Sequence, residues 1–429
     1  MGRDSSTIVF FPARAFGPMT NSVGIGDALR RRGHRVVFVV EESFAGTLEE
    51  RGFEEHLVRL APRGPEGEAP GQLWEGFLED KGPVLRLSTT EQLKRFVAPT
   101  FRALFEGAKY VDDRLLEIFA ELQPNAIAVD NVITFPALFS SQIPWVRIVS
   151  RNPAEMKDHQ VPPPYSGLPS ESGAGWDEFW AAYREANAEL HDEFSEYCQE
   201  RGAPPLHSDD FIHESPWLNL YSYPEELDYR RVRPLGPHWH NLGASVRSTD
   251  PAWDVPESLA ESSDPLLYLS LGSLGSVDVK LLRRLIAELT DAPYRVIVAK
   301  GPRAREIDLP PNMAGAEFLP QASILPKVDL VITNGGTNTV LESLYFGKPL
   351  VLLPLFWDQH DNAQRLHEKG YGVRLETYDH KPDKLPDAIS RLLGDRQLSA
   401  RLARISTRLQ QARGAEAAAA RVERIALDP

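Results

Sequence analysis

The residues best suited to chemistry in this sequence gather between positions 318 and 359, centred on Asn334-Gly335-Gly336-Thr337-Asn338-Thr339-Val340-Leu341-Glu342. A tight Gly-Gly turn before a helix that opens on hydroxyl and amide side chains makes an anion site. The first helical amides are free there, and the helix dipole is positive. Gly335 and Gly336 also let a ligand approach the backbone closely. An ordinary strand–turn–helix joint capped by Thr or Asn would have the same nonapeptide, so the neighbouring groups must decide. Leu271-Gly272-Ser273-Leu274-Gly275-Ser276 offers a second set of small-residue amides. In Leu319-Pro320-Gln321 the Gln amide supplies the donor and acceptor that a flat heterocycle needs. Glu342 can accept two ribose hydroxyls, though a plain dipole-favoured acid would also sit there. Asp358-Gln359 suits the vicinal hydroxyls of a sugar, although Asp358 alone would read as an N-cap.

These groups need strands that end on one edge, and the sequence supplies two such series. Thr7–Pro12, Arg35–Val40, His56–Leu60, Asn125–Asp130, Trp145–Ser150 and Leu218–Ser222 read as strands. Between them run helical stretches at Asn21–Arg32 (ended by Gly33), Phe44–Arg51, Thr89–Leu122 (as two helices), Thr134–Ser141 and Trp176–Arg201. After residue 264 the alternation resumes, with strands at Leu266–Leu271, Tyr294–Ala299, Ala316–Leu319, Val328–Thr333 and Pro349–Leu353. Helices are expected at Asp278–Leu289, Thr339–Phe346, His360–Lys369, beyond Asp383, and over Ser399–Leu427. Such alternation indicates parallel α/β sheets, whose ligands lie at the carboxyl ends of the strands. The chain therefore divides into a domain at 1–227, a proline-rich linker at 228–264 and a second domain at 265–429, whose last helix can pack back on the first domain. The stretch Ala61–Pro83, rich in Pro, Gly and charge, reads as a mobile surface loop. The stripe Trp176, Phe179, Trp180 and Tyr183 reads as core before it reads as the wall of an apolar pocket.

The 429 residues exceed one usual core, and 42% hydrophobic with 25% charged residues fits a globular protein. A formal charge of −14 argues against a nucleic-acid partner. The one basic run, Arg30-Arg31-Arg32, ends a helix and reads as structural. Cys198 is alone, which excludes an intramolecular disulfide or a cysteine metal cluster. His238 and His240 are isolated from acids, so no metal and no cofactor is expected. The polar start of the chain and the lack of any apolar run near ~20 residues predict a cytoplasmic protein without stable membrane insertion, as monomer or homodimer.

The segment FLPQASILPKVDLVITNGGTNTVLESLYFGKPLVLLPLFWDQHDNAQRL resembles the donor-binding signature of nucleotide-sugar glycosyltransferases with the GT-B fold. The resemblance is closest to the bacterial natural-product and macrolide type. It implies two Rossmann-like domains facing a central cleft, and inverting transfer of a sugar from a UDP- or TDP-sugar donor to a small natural-product-like acceptor. Carried over by position, Gln321 and the Leu319 backbone would meet the base. Ser273, Asn338 and Thr339 would meet the diphosphate, with the amides around Gly336 and Thr337. Glu342 would hold the ribose, and Asp358 with Gln359 the sugar.

Two positions depart from the family pattern. Asn334 stands where a phosphate-binding His is usual; its amide still donates, but without charge. Pro18, in the acceptor-side loop with Phe16 and Asn21, stands where the catalytic His is usual. The carboxylate that would orient that His is present as Asp130. Three accounts remain open: Asp130 as the base, directly or through a water; His159 from the loop Asn152–Pro164; or an acceptor that needs little help, such as an amine or an acidic phenol. A catalytically inactive partner protein and a sugar-nucleotide epimerase are the alternatives to transfer.

Overall fold

The computed structural model describes residues 5–62, 82–247 and 249–428, so most of the loop expected at 61–83 lies outside the described residues. The first sheet is parallel, in the order β3-β2-β1-β4-β5-β6-β7. Its strands are β1 (Thr7–Pro12), β2 (Arg35–Glu41), β3 (Glu54–Val58), β4 (Ala126–Asp130), β5 (Trp145–Val149), β6 (Leu218–Tyr221) and β7 (Trp239–Asn241). The second is parallel in the order β10-β9-β8-β11-β12-β13. It comprises β8 (Leu266–Ser270), β9 (Arg295–Ala299), β10 (Met313–Ala316), β11 (Leu330–Thr333), β12 (Leu350–Leu352) and β13 (Gly372–Arg374). The central strands are buried along their whole length, as largely apolar strands are when helices cover both faces of a sheet.

One face of the first sheet, with Ile8, Phe10, Val36, Phe38, Ala128 and Ile148, is covered by α1 (Phe16–Arg31) and by Ala418, Ala419, Val422 and Ala426 of the C-terminal helix. The stretch expected as one helix over Ser399–Leu427 is two, Arg396–Ala412 and Gly414–Leu427, broken at Arg413 with φ 48°. The break carries the last helix back onto the first domain. Gly414 permits it, because a Cβ there would lie 2.1 Å from the Ala244 carbonyl oxygen. The basic run at the end of α1 serves this contact. Arg32 pairs with Glu423 at 2.7 Å and Arg31 with Glu416 at 3.2 Å.

Several elements differ from expectation for local reasons. Phe44–Arg51 is not one helix but two short 3₁₀ turns, Glu42–Phe44 and Glu49–Arg51. The Glu55 carboxylate takes the amides of Gly46, Leu48 and Glu49, and Gly46 has φ +82°, so the helical ladder cannot form. Thr134–Ser141 shortens to a single turn, Ala137–Ser140, which starts after Pro136 with the Ala137 amide donated to Asp112 Oδ1 at 2.8 Å. The strand expected at Ala316–Leu319 lies earlier, at Met313–Ala316. The stretch read as linker, 228–264, carries β7, which extends the first sheet beside β6. In the aromatic stripe, Phe179 and Tyr183 are core and Trp180 packs against it. No described helix is long and apolar enough to cross a membrane.

Candidate active site at the domain interface

Each sheet has one place where the chain order reverses, between β1 and β4 in the first and between β8 and β11 in the second. Crevices open at the carboxyl ends of such strand pairs. In the second domain the two turns at that point are joined by Asn334. Its Nδ2 donates to the Leu271 carbonyl at 2.6 Å, and its Oδ1 accepts from the Gly336 amide at 3.1 Å. Gly335 has φ +86°, and a Cβ there would stand 3.2 Å from the Gln359 carbonyl oxygen, so only glycine suits the turn. The helix Thr337–Tyr345 then starts from Gly336 with no side-chain cap. No described group accepts from the Thr337, Asn338 and Thr339 amides. Three donors thus converge at the positive end of a helix, an arrangement that binds phosphate. Ser273 lies on the facing turn Gly272–Gly275; the placement of its side chain is outside what is described.

The other expected donor residues gather around this helix, each held by a protein partner. Glu342 accepts from Gln321 Nε2 at 2.6 Å on one oxygen and from Arg247 on the other. Thr339 Oγ1 points toward Gln321 Oε1 at 3.4 Å. Asp358 Oδ2 accepts from Thr337 Oγ1 at 2.7 Å and from the Asn152 amide, across the interface, at 3.0 Å. Burial raises its pKa, opposed by the Thr337 bond. The Gln359 carboxamide oxygen accepts from the Leu355 and Phe356 amides, closing its own loop. Leu319 is partly buried against the core. Beside it Phe318 is 60% exposed, its ring 6.0 Å from that of Phe16, itself 42% exposed on α1.

In the first domain Asp130 closes β4 with 0% of its surface exposed. Ser150 Oγ donates to its Oδ1 at 2.9 Å and Asn21 Nδ2 to its Oδ2 at 3.3 Å, while Arg151 Nη1 stands 4.0 Å away. Burial pushes the carboxyl up to about 6, against the pull of Arg151, Ser150 and Asn21. Pro18 lies in the first turn of α1, which begins five residues earlier than expected, at Phe16. His159 is exposed in a turn. The neighbouring Asp158 accepts from the Val232 and Arg233 amides, which anchors that turn beside the linker. The structure therefore brings together Asp130, Asn21 and the start of α1, and records no contact between His159 and that group.

Two short bridges tie Asp130 to the second domain. Asn338 Nδ2 donates to the Gly17 carbonyl at 2.7 Å and to Thr20 Oγ1 at 2.9 Å, one residue before Asn21. Asn152, which meets Asp358, follows Arg151. Arg247, Asp250 and Asn152 belong to this network but escaped sequence reasoning, because nothing local marks them: their partners are distant in the chain. No cluster of three or more His, Cys, Asp or Glu among the described residues is arranged to hold a metal ion.

Residues 283–423 match the family described as "Erythromycin biosynthesis protein CIII-like, C-terminal domain". The chain is 24% identical to NDP-glycosyltransferase YjiC of Bacillus subtilis over 95% of its length and 94% of that protein. It is 25% identical to demethyllactenocin mycarosyltransferase of Streptomyces fradiae, over 97% of the chain and 86% of that protein. Among solved structures, the calicheamicin glycosyltransferase CalG4 superimposes with a TM-score of 0.66 at 21% identity, covering 99% of this chain and 98% of that one. Glycosyltransferase VinC in complex with dTDP gives 0.65 at 17% identity, covering 98% and 100%. The two facing parallel-sheet domains are those of the GT-B fold.

Proposed function

We propose that this chain, a nucleotide-sugar glycosyltransferase of the natural-product type, transfers its sugar with inversion to a small natural-product-like acceptor, with Asp130 taking the acceptor proton. The observation that carries this reading is the shared wall formed by the first turns of α1. Thr20 meets Asn338 at the amide-lined helix end, and Asn21 meets Asp130. A diphosphate on the Thr337–Thr339 amides would place the anomeric carbon on the side of the first domain. Attack there by an acceptor oxygen or nitrogen forms the new glycosidic bond and breaks the bond to the diphosphate. The electron pair leaves with the nucleoside diphosphate, whose charge the helix N-terminus stabilises. The acceptor proton passes to Asp130, directly or through one water, and then to solvent.

The pKa of Asp130, raised to about 6, supports this role, since a general base works best when its pKa lies near the working pH. The donor is read as a UDP- or TDP-sugar. VinC is described with dTDP bound, and other solved relatives with thymidine diphosphate. Glu342 is read as the ribose acceptor, Gln321 and the Leu319 backbone as base contacts, and Asp358 with Gln359 as sugar contacts. The protein bonds these side chains now make are ones the donor would share or displace. No resident metal or cofactor is part of the reading, and the protein is taken to be cytoplasmic. The test is a screen of UDP- and TDP-sugars against a panel of phenolic, alcoholic and amine aglycones, read as nucleotide release. Acceptor-dependent release supports transfer. If nucleotide binds but is never released from any donor, the transfer reading fails.

A further inference from the structure

We infer that Arg247 is a positioning residue of the donor site, acting through Glu342. The inference rests on the reading of Glu342 as the ribose acceptor. Arg247 lies between β7 and β8, outside every donor-site motif. Its Nη1 donates to Glu342 Oε1, while its Nε and Nη2 grip Asp250 at 2.6 and 2.7 Å. Asp250 Oδ2 in turn accepts from the Ala322 amide at 3.1 Å. Ala322 follows Gln321, whose Nε2 bonds the second Glu342 oxygen at 2.6 Å. Arg247, Asp250, the Gln321-Ala322 corner and Glu342 thus close a ring around one carboxylate.

The Glu342 side chain is almost wholly buried, at 5% relative exposure. Arg247 gives the Glu342 carboxylate a positively charged partner, and its planar fork, fixed on Asp250, aims it. Each Glu342 oxygen accepts one protein bond and keeps a lone pair for a ribose hydroxyl. Arg247 also reaches the other domain: a Cβ on Gly24 of α1 would lie 3.7 Å from its N and Cα atoms. The residue that sets the ribose carboxylate therefore packs against the helix that carries Asn21, Thr20 and Gly17.

The test is a cycle of Arg247→Gln, Glu342→Gln and the double variant, with Arg247→Lys as the conservative change. Dissociation constants for UDP and TDP are measured by calorimetry, and donor KM and kcat by turnover. A hydrogen bond to a charged group corresponds to about tenfold or more in affinity. Arg247→Gln and Glu342→Gln are each expected to weaken nucleotide binding by that factor and to raise donor KM more than they lower kcat. The double variant should be no worse than Glu342→Gln by more than about twofold, because both changes remove one interaction. Arg247→Lys should recover part of the loss, a result that a purely structural arginine would not give. If Arg247→Gln does not fold, Arg247→Lys carries the test, and wild-type nucleotide affinity in it overturns the inference. Multiplying losses in the double variant overturn it too. Wild-type affinity in Glu342→Gln instead overturns the ribose reading itself.

Discussion

Asn21 Nδ2 lies 3.3 Å from Asp130 Oδ2 and fills the side of that carboxylate that faces α1. The amide does what a neutral partner can do for a buried acid: it donates one hydrogen bond and adds no charge. Burial keeps the pKa of Asp130 raised, against the pull of Arg151 at 4.0 Å and of the Ser150 and Asn21 hydrogen bonds. With proline at position 18, the carboxylate at the switch point of the first domain has Ser150, Asn21 and Arg151 as its side-chain partners, with no imidazole among those described.

Asp130→Asn should lower turnover by about 10²–10⁴-fold if Asp130 is the base, while leaving the thermal shift given by TDP or UDP intact. The pH profile gives a second reading. Asp130 must be ionised to accept a proton, so kcat/KM should rise with pH through about 6 and level above it. A flat profile between pH 5 and 7, or unchanged turnover in Asp130→Asn, would remove the base assignment.

Asn338 tests the anion site by charge. Its side chain now spans the interface to Gly17 and Thr20, and its backbone amide has no acceptor among the described residues. Asn338→Asp suits the helix dipole of the free protein but sets a negative charge against a diphosphate. The nucleotide-induced thermal shift should fall to less than about half; saturation at ~100 times the dissociation constant stabilises by about 2.7 kcal/mol in the parent. An undiminished shift would place the diphosphate elsewhere.

Asn334 carries a stability prediction rather than a catalytic one. Both ends of its amide are engaged, joining the turn after β8 to the turn after β11. Asn334→Ala would leave the Leu271 carbonyl and the Gly336 amide without these partners. Such orphaned groups cost about 1–3 kcal/mol each when buried. A urea midpoint unchanged in Asn334→Ala would show that the two turns hold without it.

What could be read from the sequence was local. Asn334-Gly335-Gly336 and the helix after it are a turn chemistry and a periodicity, both contained within a dozen residues, and the strands beneath them are unbroken apolar runs. What could not be read depends on partners far along the chain. Arg247 and Glu342 meet across 95 positions, Asn338 and Gly17 across 321. β7, Trp239-His240-Asn241, is too short to show a period and sits among prolines, so it read as linker. The helix expected at Phe44–Arg51 failed because the Glu55 carboxylate competes for its amides, which no propensity within the segment records.

His360 supplies a pH dependence of folding with a definite sign. Burial, with Arg374 nearby, pushes its imidazole down to about 3, partly offset by the Leu355 backbone. In the unfolded chain the group titrates near ~6.5. Below that pH the unfolded state binds a proton that the folded state refuses. Stability therefore falls as pH drops from about 6.5 toward 3, by at most about 1.4 kcal/mol per pH unit from this one group. Asp130 and Asp361, raised to about 6 and about 8, act in the opposite sense, so the comparison must be between a variant and its parent. His360→Leu removes the titration at similar volume. Its urea midpoint should decline less than the parent's between pH 7 and pH 5, and equal declines in the two proteins would mean that His360 is protonated in the folded state.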